Sequence, residues 1–152
     1  MKAVVYDTYG PPTVLRVEDV PMPVPAAGEV LVRVEAAAIN PSDVKMVAGA
    51  LDTPLPRIPG RDFAGVVVGG DGEEGMKVWG FGVGFGQSRD GAHAEFIVLP
   101  VDSLARRPST LSSEEAATVG VPYVTAWSTL VRAGGIQAGE TVVIVGVAGA
   151  VG

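Results

Sequence analysis

Short apolar stretches alternate with Gly and Pro through most of the chain, and their spacing predicts strands before anything else. Residues 2–7 and 13–20 read as two strands, with Gly10-Pro11-Pro12 as the turn between them. Pro21, Pro23 and Pro25 make an extended connector, because proline fixes its own φ and restricts the residue before it. Gly28-Glu29 opens the longest alternation, over 30–36. There Arg33 and Glu35 share one face and Val32 and Val34 the other, the pattern of a half-buried strand. Further strands are predicted over 63–68, 77–81 and 92–99, with Gly69-Gly70-Asp71-Gly72 as a turn.

Helical signals interrupt this pattern in two places. Asn40-Pro41-Ser42-Asp43 is a helix start: Asn can cap, Pro suits the first helical position, and an acid meets the positive end. That helix is short and is expected to stop at Gly49. Near residue 110 the composition shifts. Ser112 and Glu115 form a capping box for a short helix through Thr118, and Pro122 opens a second helix to about Arg132, closed by Gly134-Gly135. The β-branched run 141–145 then suits a strand buried on both faces, as in a parallel sheet. The expected fold class is mostly β with α+β character. A partly open β-barrel is followed by the first strand of a doubly wound α/β domain, divided as 1–118 and 119–152.

Composition narrows the function classes. The 152 residues are 47% hydrophobic and 18% charged, a globular composition. Net charge is −6, and the largest basic cluster is the pair Arg106-Arg107, so no nucleic-acid partner is expected. Cysteine is absent, and no apolar run has the length of a membrane span. Met1-Lys2 leads straight into a strand pattern rather than a signal peptide, and the expected location is cytoplasmic.

The run 141–145 ends in Gly146-x-x-Gly149-x-x-Gly152. Glycines after a strand are where nucleotide-binding sheets cradle a pyrophosphate, since they permit a tight turn and a close backbone approach. By itself the pattern is equally a plain turn, and no Lys-Ser/Thr follows to make a P-loop.

Five ordered segments carry a stronger signal. They are Gly28-Glu29-Val30-Leu31-Val32-Arg33-Val34; Ala38-Ile39-Asn40-Pro41-Ser42-Asp43; Ile58-Pro59-Gly60-Arg61-Asp62-Phe63-Ala64-Gly65-Val66-Val67; Leu111-Ser112-x-Glu114-Glu115-Ala116-Ala117 with Val121-Pro122-Tyr123-Val124-Thr125-Ala126-Trp127; and Gly139-Glu140-Thr141. In this order they resemble the N-terminal half of the medium-chain dehydrogenase/reductase superfamily, most closely its zinc-independent quinone oxidoreductase and enone reductase branch. The resemblance implies a GroES-like barrel followed by a truncated Rossmann domain. It also implies hydride transfer from NADPH, with NADH the alternative, to a quinone or conjugated carbonyl, and a homodimeric parent. The chain as given is expected to be an inactive fragment of that parent. A zinc-free alcohol or ketone reductase of the same superfamily, and a non-catalytic binding barrel, are the other readings.

The resemblance also distributes roles. Zinc members hold their metal with a Cys and a His where this chain has Asn40 and Arg61, and a single histidine, His93, cannot anchor a three-ligand site. No metal is therefore expected. Asn40 lies beside the nicotinamide and substrate in zinc-free members, and plant-type enone reductases place a Lys where Lys45 stands, facing the cleft. Many bacterial quinone reductases carry a Tyr there instead. From the residues alone, Asn40 and Asp43 are capping groups and Lys45 a solvated lysine. Thr125 is placed by the resemblance against the cofactor, though its local role is a back-bond to the carbonyl of Val121. Gly146, Gly149, Ala150, Val151 and Gly152 complete the expected cofactor-binding set, with Asn40 and Lys45 as the catalytic pair.

Overall fold

A computed structural model describes all residues from Met1 to Gly152. The alternating patterns become β1 (Lys2–Val5), β2 (Arg16–Asp19), β3 (Glu29–Ala37), β4 (Asp62–Gly70), β5 (Lys77–Phe81), β6 (Phe96–Pro100) and β7 (Ala105–Arg106). The helices are α1 (Pro41–Val47) and α2 (Ser113–Trp127). β1 and β2 pair with each other, and the other five strands form an antiparallel sheet in the order β6-β3-β4-β5-β7. β6 and β7 lie at opposite edges of that sheet, so it curls around a core without closing into a barrel. Pairing irregularities in β3, at Leu31/Val32 and Val34/Ala36, supply the extra bend such curling needs.

The main core is Val30, Val32, Phe63, Val67, Val78, Phe85, Ala92, Ile97 and Leu99. β3 is half buried as its alternation implies, with Val30 and Val32 inward and Arg33 and Glu35 outward. β4 is buried on both faces over its first half. Phe63 points into the main core, while Ala64 packs with Ala116 and Ala117 of α2. Small side chains at this contact let the helix lie close on the sheet.

Four expectations are corrected. The strand expected over 13–20 is only Arg16–Asp19, because a 3-10 turn occupies Pro12–Val14, where Pro12 has no N–H to give a ladder. The strand expected over 92–99 starts at Phe96, because Ala92 and His93 bond back to Gly60 and Pro59 instead. The two helices expected around Pro122 are one: α2 runs through the proline and continues as a π-helix over Ser128–Ala133. A boundary at 118/119 would therefore fall inside α2. Finally, 141–145 pairs with nothing and forms no strand, and Val143 and Val145 are 84% and 95% exposed. A parallel-sheet strand is held by its neighbours, and residues 1–152 supply none.

Candidate functional site

α1 begins as its sequence predicts. Asp43 accepts a hydrogen bond from the Asn40 N–H at 2.7 Å, Pro41 is the first helical residue, and Gly49 ends the segment with a φ of +83°. α2 is capped in the same way: Ser112 Oγ accepts from the Glu115 N–H at 3.1 Å, and Glu115 accepts from the Ser112 N–H at 2.8 Å. Between the start of α1, the second half of α2 and the glycine run lies a cleft of about 550 Å³. Asn40, Ser42, Pro122 and Thr129 line one side of it. Val142 to Gly146 and Gly149 to Gly152 line the other.

The expected site residues divide on this cleft. Asn40, Gly146, Gly149, Ala150, Val151 and Gly152 all border it. Lys45 lies on the exposed side of α1, and Thr125 is exposed on α2; neither is among the lining residues. Thr125 Oγ1 donates to the carbonyl of Val121 at 2.6 Å, the local back-bond its position allows. One turn on, Thr129 reaches the cleft in its place. His93 is half buried, with Nε2 at 2.9 Å from the carbonyl oxygen of Ala38. No three His, Cys, Asp or Glu side chains gather as a metal site would require.

Two side chains carry more than the sequence reading assigned them. Ser42 Oγ is buried and without a hydrogen-bond partner while its residue lines the cleft. A buried hydroxyl left unpaired is a cost that a bound ligand can relieve. Asp62, the first residue of β4, is fully buried. Its Oδ2 accepts from Asn40 Nδ2, and its Oδ1 accepts from the Val121 N–H at 2.8 Å. Burial pushes its carboxyl above the usual carboxylate range, against the pull of those two donors. Gly120 is the reason the helix can come so close: a Cβ there would stand 2.2 Å from Asp62 Oδ1 and 2.5 Å from Phe81 Cβ. Neither role has a local signature: the partners of Asp62 lie 22 and 59 positions away, and the burial of Ser42 Oγ is set by the fold.

Comparison with known proteins agrees with this architecture. The chain is 45% identical over 141 residues to a zinc-type alcohol dehydrogenase-like protein of Schizosaccharomyces pombe, covering 91% of this chain and 43% of that protein. It is 37% identical over 168 residues to the 2-methylene-furan-3-one reductase of Solanum lycopersicum, covering 100% of the chain and 42% of the relative. It is 35% identical over 159 residues to the quinone oxidoreductase of Mus musculus, covering 100% and 47%. The chain thus spans about half the length of the curated relatives it matches. Among solved structures, a mycobacterial protein complexed with NADPH superposes with a TM-score of 0.82 at 31% identity, over 92% of this chain and 42% of that one. Residues 26–109 match the family of alcohol dehydrogenase GroES-like domains, and the chain belongs to that family.

Proposed function

We propose that this chain forms the substrate-side wall of a zinc-independent reductase that moves hydride from NADPH to a quinone or conjugated carbonyl. The observation that carries the reading is the cleft itself, where Asn40 and Ser42, with its unpartnered hydroxyl, line one cavity together with the glycine run. The names of the relatives support it. A quinone oxidoreductase and a methylene-furanone reductase both act on carbonyls conjugated to a carbon–carbon double bond. NADPH is supported by the complexed structural relative. Independence from zinc rests on this chain's own residues, Asn40 and Arg61.

NADPH, when bound, supplies the hydride. As the acceptor carbon receives it, an electron pair moves onto the acceptor oxygen, and that oxygen needs donors in place beforehand. Asn40 Nδ2 and Ser42 Oγ are the donors the cleft offers. Lys45, exposed on the same short helix, is the cation that would fold over the occupied cleft. The alternative, reduction of isolated ketones, uses the same cleft and is favoured by the name of the Schizosaccharomyces relative.

The test is NADPH oxidation by the full-length protein in metal-free buffer, with a quinone, an enone and a saturated ketone offered side by side. Turnover of the conjugated acceptors with no stoichiometric zinc by elemental analysis is expected. Near-stoichiometric zinc, or turnover of the saturated ketone alone, overturns the reading. Lys45→Met should lower turnover of the conjugated acceptor roughly a hundredfold, the usual effect of losing one donor to a developing oxyanion. Turnover within about threefold of wild type would return Lys45 to the solvated surface.

A further inference from the structure

Asp62 is joined to both helical walls of the cleft. Its carboxylate receives Asn40 Nδ2 from the start of α1 and the Val121 N–H from the middle of α2, immediately before Pro122. All three donor-side residues, Asn40, Val121 and Pro122, line the cleft, but Asp62 itself does not. Phe81 and Gly120 pack around it, and Asp43 and Arg61 are the charged groups that act on its carboxyl. It has no contact with solvent through which another partner could replace these two.

An amide side chain can present either its oxygen or its NH2 group to a neighbour, and the hydrogen-bond network decides which. An ionised carboxylate only accepts. With Asp62 beneath it, the NH2 end of Asn40 is turned toward Asp62. One N–H is taken by the carboxylate and the second stays free. We propose that Asp62 is a positioning residue: by accepting from Asn40 and Val121 together, it makes Asn40 a hydrogen-bond donor toward the cleft and fixes α2 against it. This rests on the reductase reading, in which the free N–H meets the acceptor oxygen.

The discriminating change is Asp62→Asn in the full-length protein. Its new amide keeps the Val121 bond through Oδ1, and its NH2 group then confronts the NH2 group of Asn40. Asn40 must flip, which places a carbonyl lone pair where the free N–H stood. Turnover of a conjugated carbonyl is expected to fall about a hundredfold, in line with the loss of one oxyanion donor. The reversed pair, Asn40→Asp with Asp62→Asn, restores the bond between the two positions and hence the melting temperature. It leaves a carboxylate oxygen facing the cleft, so turnover should stay low. A merely structural Asp62 predicts instead that Asp62→Asn loses turnover only in proportion to the folded protein it loses. An independent readout is the side-chain amide NMR signal of Asn40 in wild type, where one of the two Nδ2 protons should be shifted downfield and protected from exchange. That spectrum stands even if Asp62→Asn does not fold. Unprotected Asn40 protons, a variant within about threefold of wild-type turnover, or recovery by the reversed pair would each overturn the proposal. If wild type reduces no quinone or enone, the reductase reading fails instead, and the NMR signal alone decides the orientation of Asn40.

Discussion

Asp62 is where single-residue chemistry bears most on this molecule. Its native pKa is raised by burial, with Asp43 adding to the rise and Asn40, the Val121 N–H and Arg61 opposing it. In the unfolded chain an aspartate titrates near pH 3.9, as a rough reference. Between that value and the native one, the folded protein holds a proton that the unfolded chain has released. Stability from this group is therefore present at low pH and is lost as pH rises through the native pKa. Glu35 works the other way. A 2.7 Å hydrogen bond from Ser113 Oγ, then the charges of Arg107 and Arg33, hold its pKa down, so its contribution is lost as pH falls. Comparing wild type with Asp62→Asn cancels Glu35 and isolates Asp62. The stability difference, wild type minus variant, should decline as pH rises from about 4 and then level off. Urea unfolding midpoints across that range measure it, and a difference that stays flat or climbs contradicts the burial argument.

Elements became legible in the sequence to the degree that their signals are local. β3, β4 and β5 follow from alternation and bounding glycines, and α1 from Asn40, Pro41 and Gly49. The sequence divides α2 at Pro122 because a proline ordinarily opens or breaks a helix. Here Pro122 is accommodated, and the residue before it donates to a carboxylate 59 positions away. Asp62 escaped notice as a site residue for the same reason, since its other partner, Asn40, lies 22 positions away and no local pattern joins them. Of the cleft lining, the glycine run was singled out from the residues themselves, whereas Asn40, Lys45 and Thr125 take their expected site roles from the resemblance, and of these three only Asn40 lies on the lining. The fit of α2 on β4 yields its own prediction. Gly120→Ala drives a methyl group into Asp62 Oδ1 and Phe81 Cβ, and neither neighbour is the free end of a flexible chain. Overpacking of this kind costs roughly 1–3 kcal/mol. Thermal denaturation should show the variant melting below wild type. An unchanged melting temperature would mean that α2 is free to slide on the sheet.

At the scale of the whole molecule, the glycine run and the barrel-like sheet stand in different states of completion. The sheet has its core and its ladders, with Val30, Phe63 and Leu99 fully buried. The run 141–145 has the composition of a central parallel strand but is largely exposed, and the residues after it form turns through Gly152. A pyrophosphate cradle needs free N–H groups from the helix that follows such a loop, and no helix follows within residues 1–152. The 152-residue chain should therefore bind NADPH weakly, with no saturation in the micromolar range by calorimetric titration. Its amides at 142–145 should exchange with solvent at nearly unprotected rates, while those of β3 and β4 are slow because their ladders are paired on both sides. Both measurements ask one question: whether pairing partners, rather than β-branched composition, make a strand of this segment. Micromolar NADPH binding, or protection at 142–145 equal to that of β3, would show that the cradle holds itself together without neighbours and that the exposed run is already a working strand.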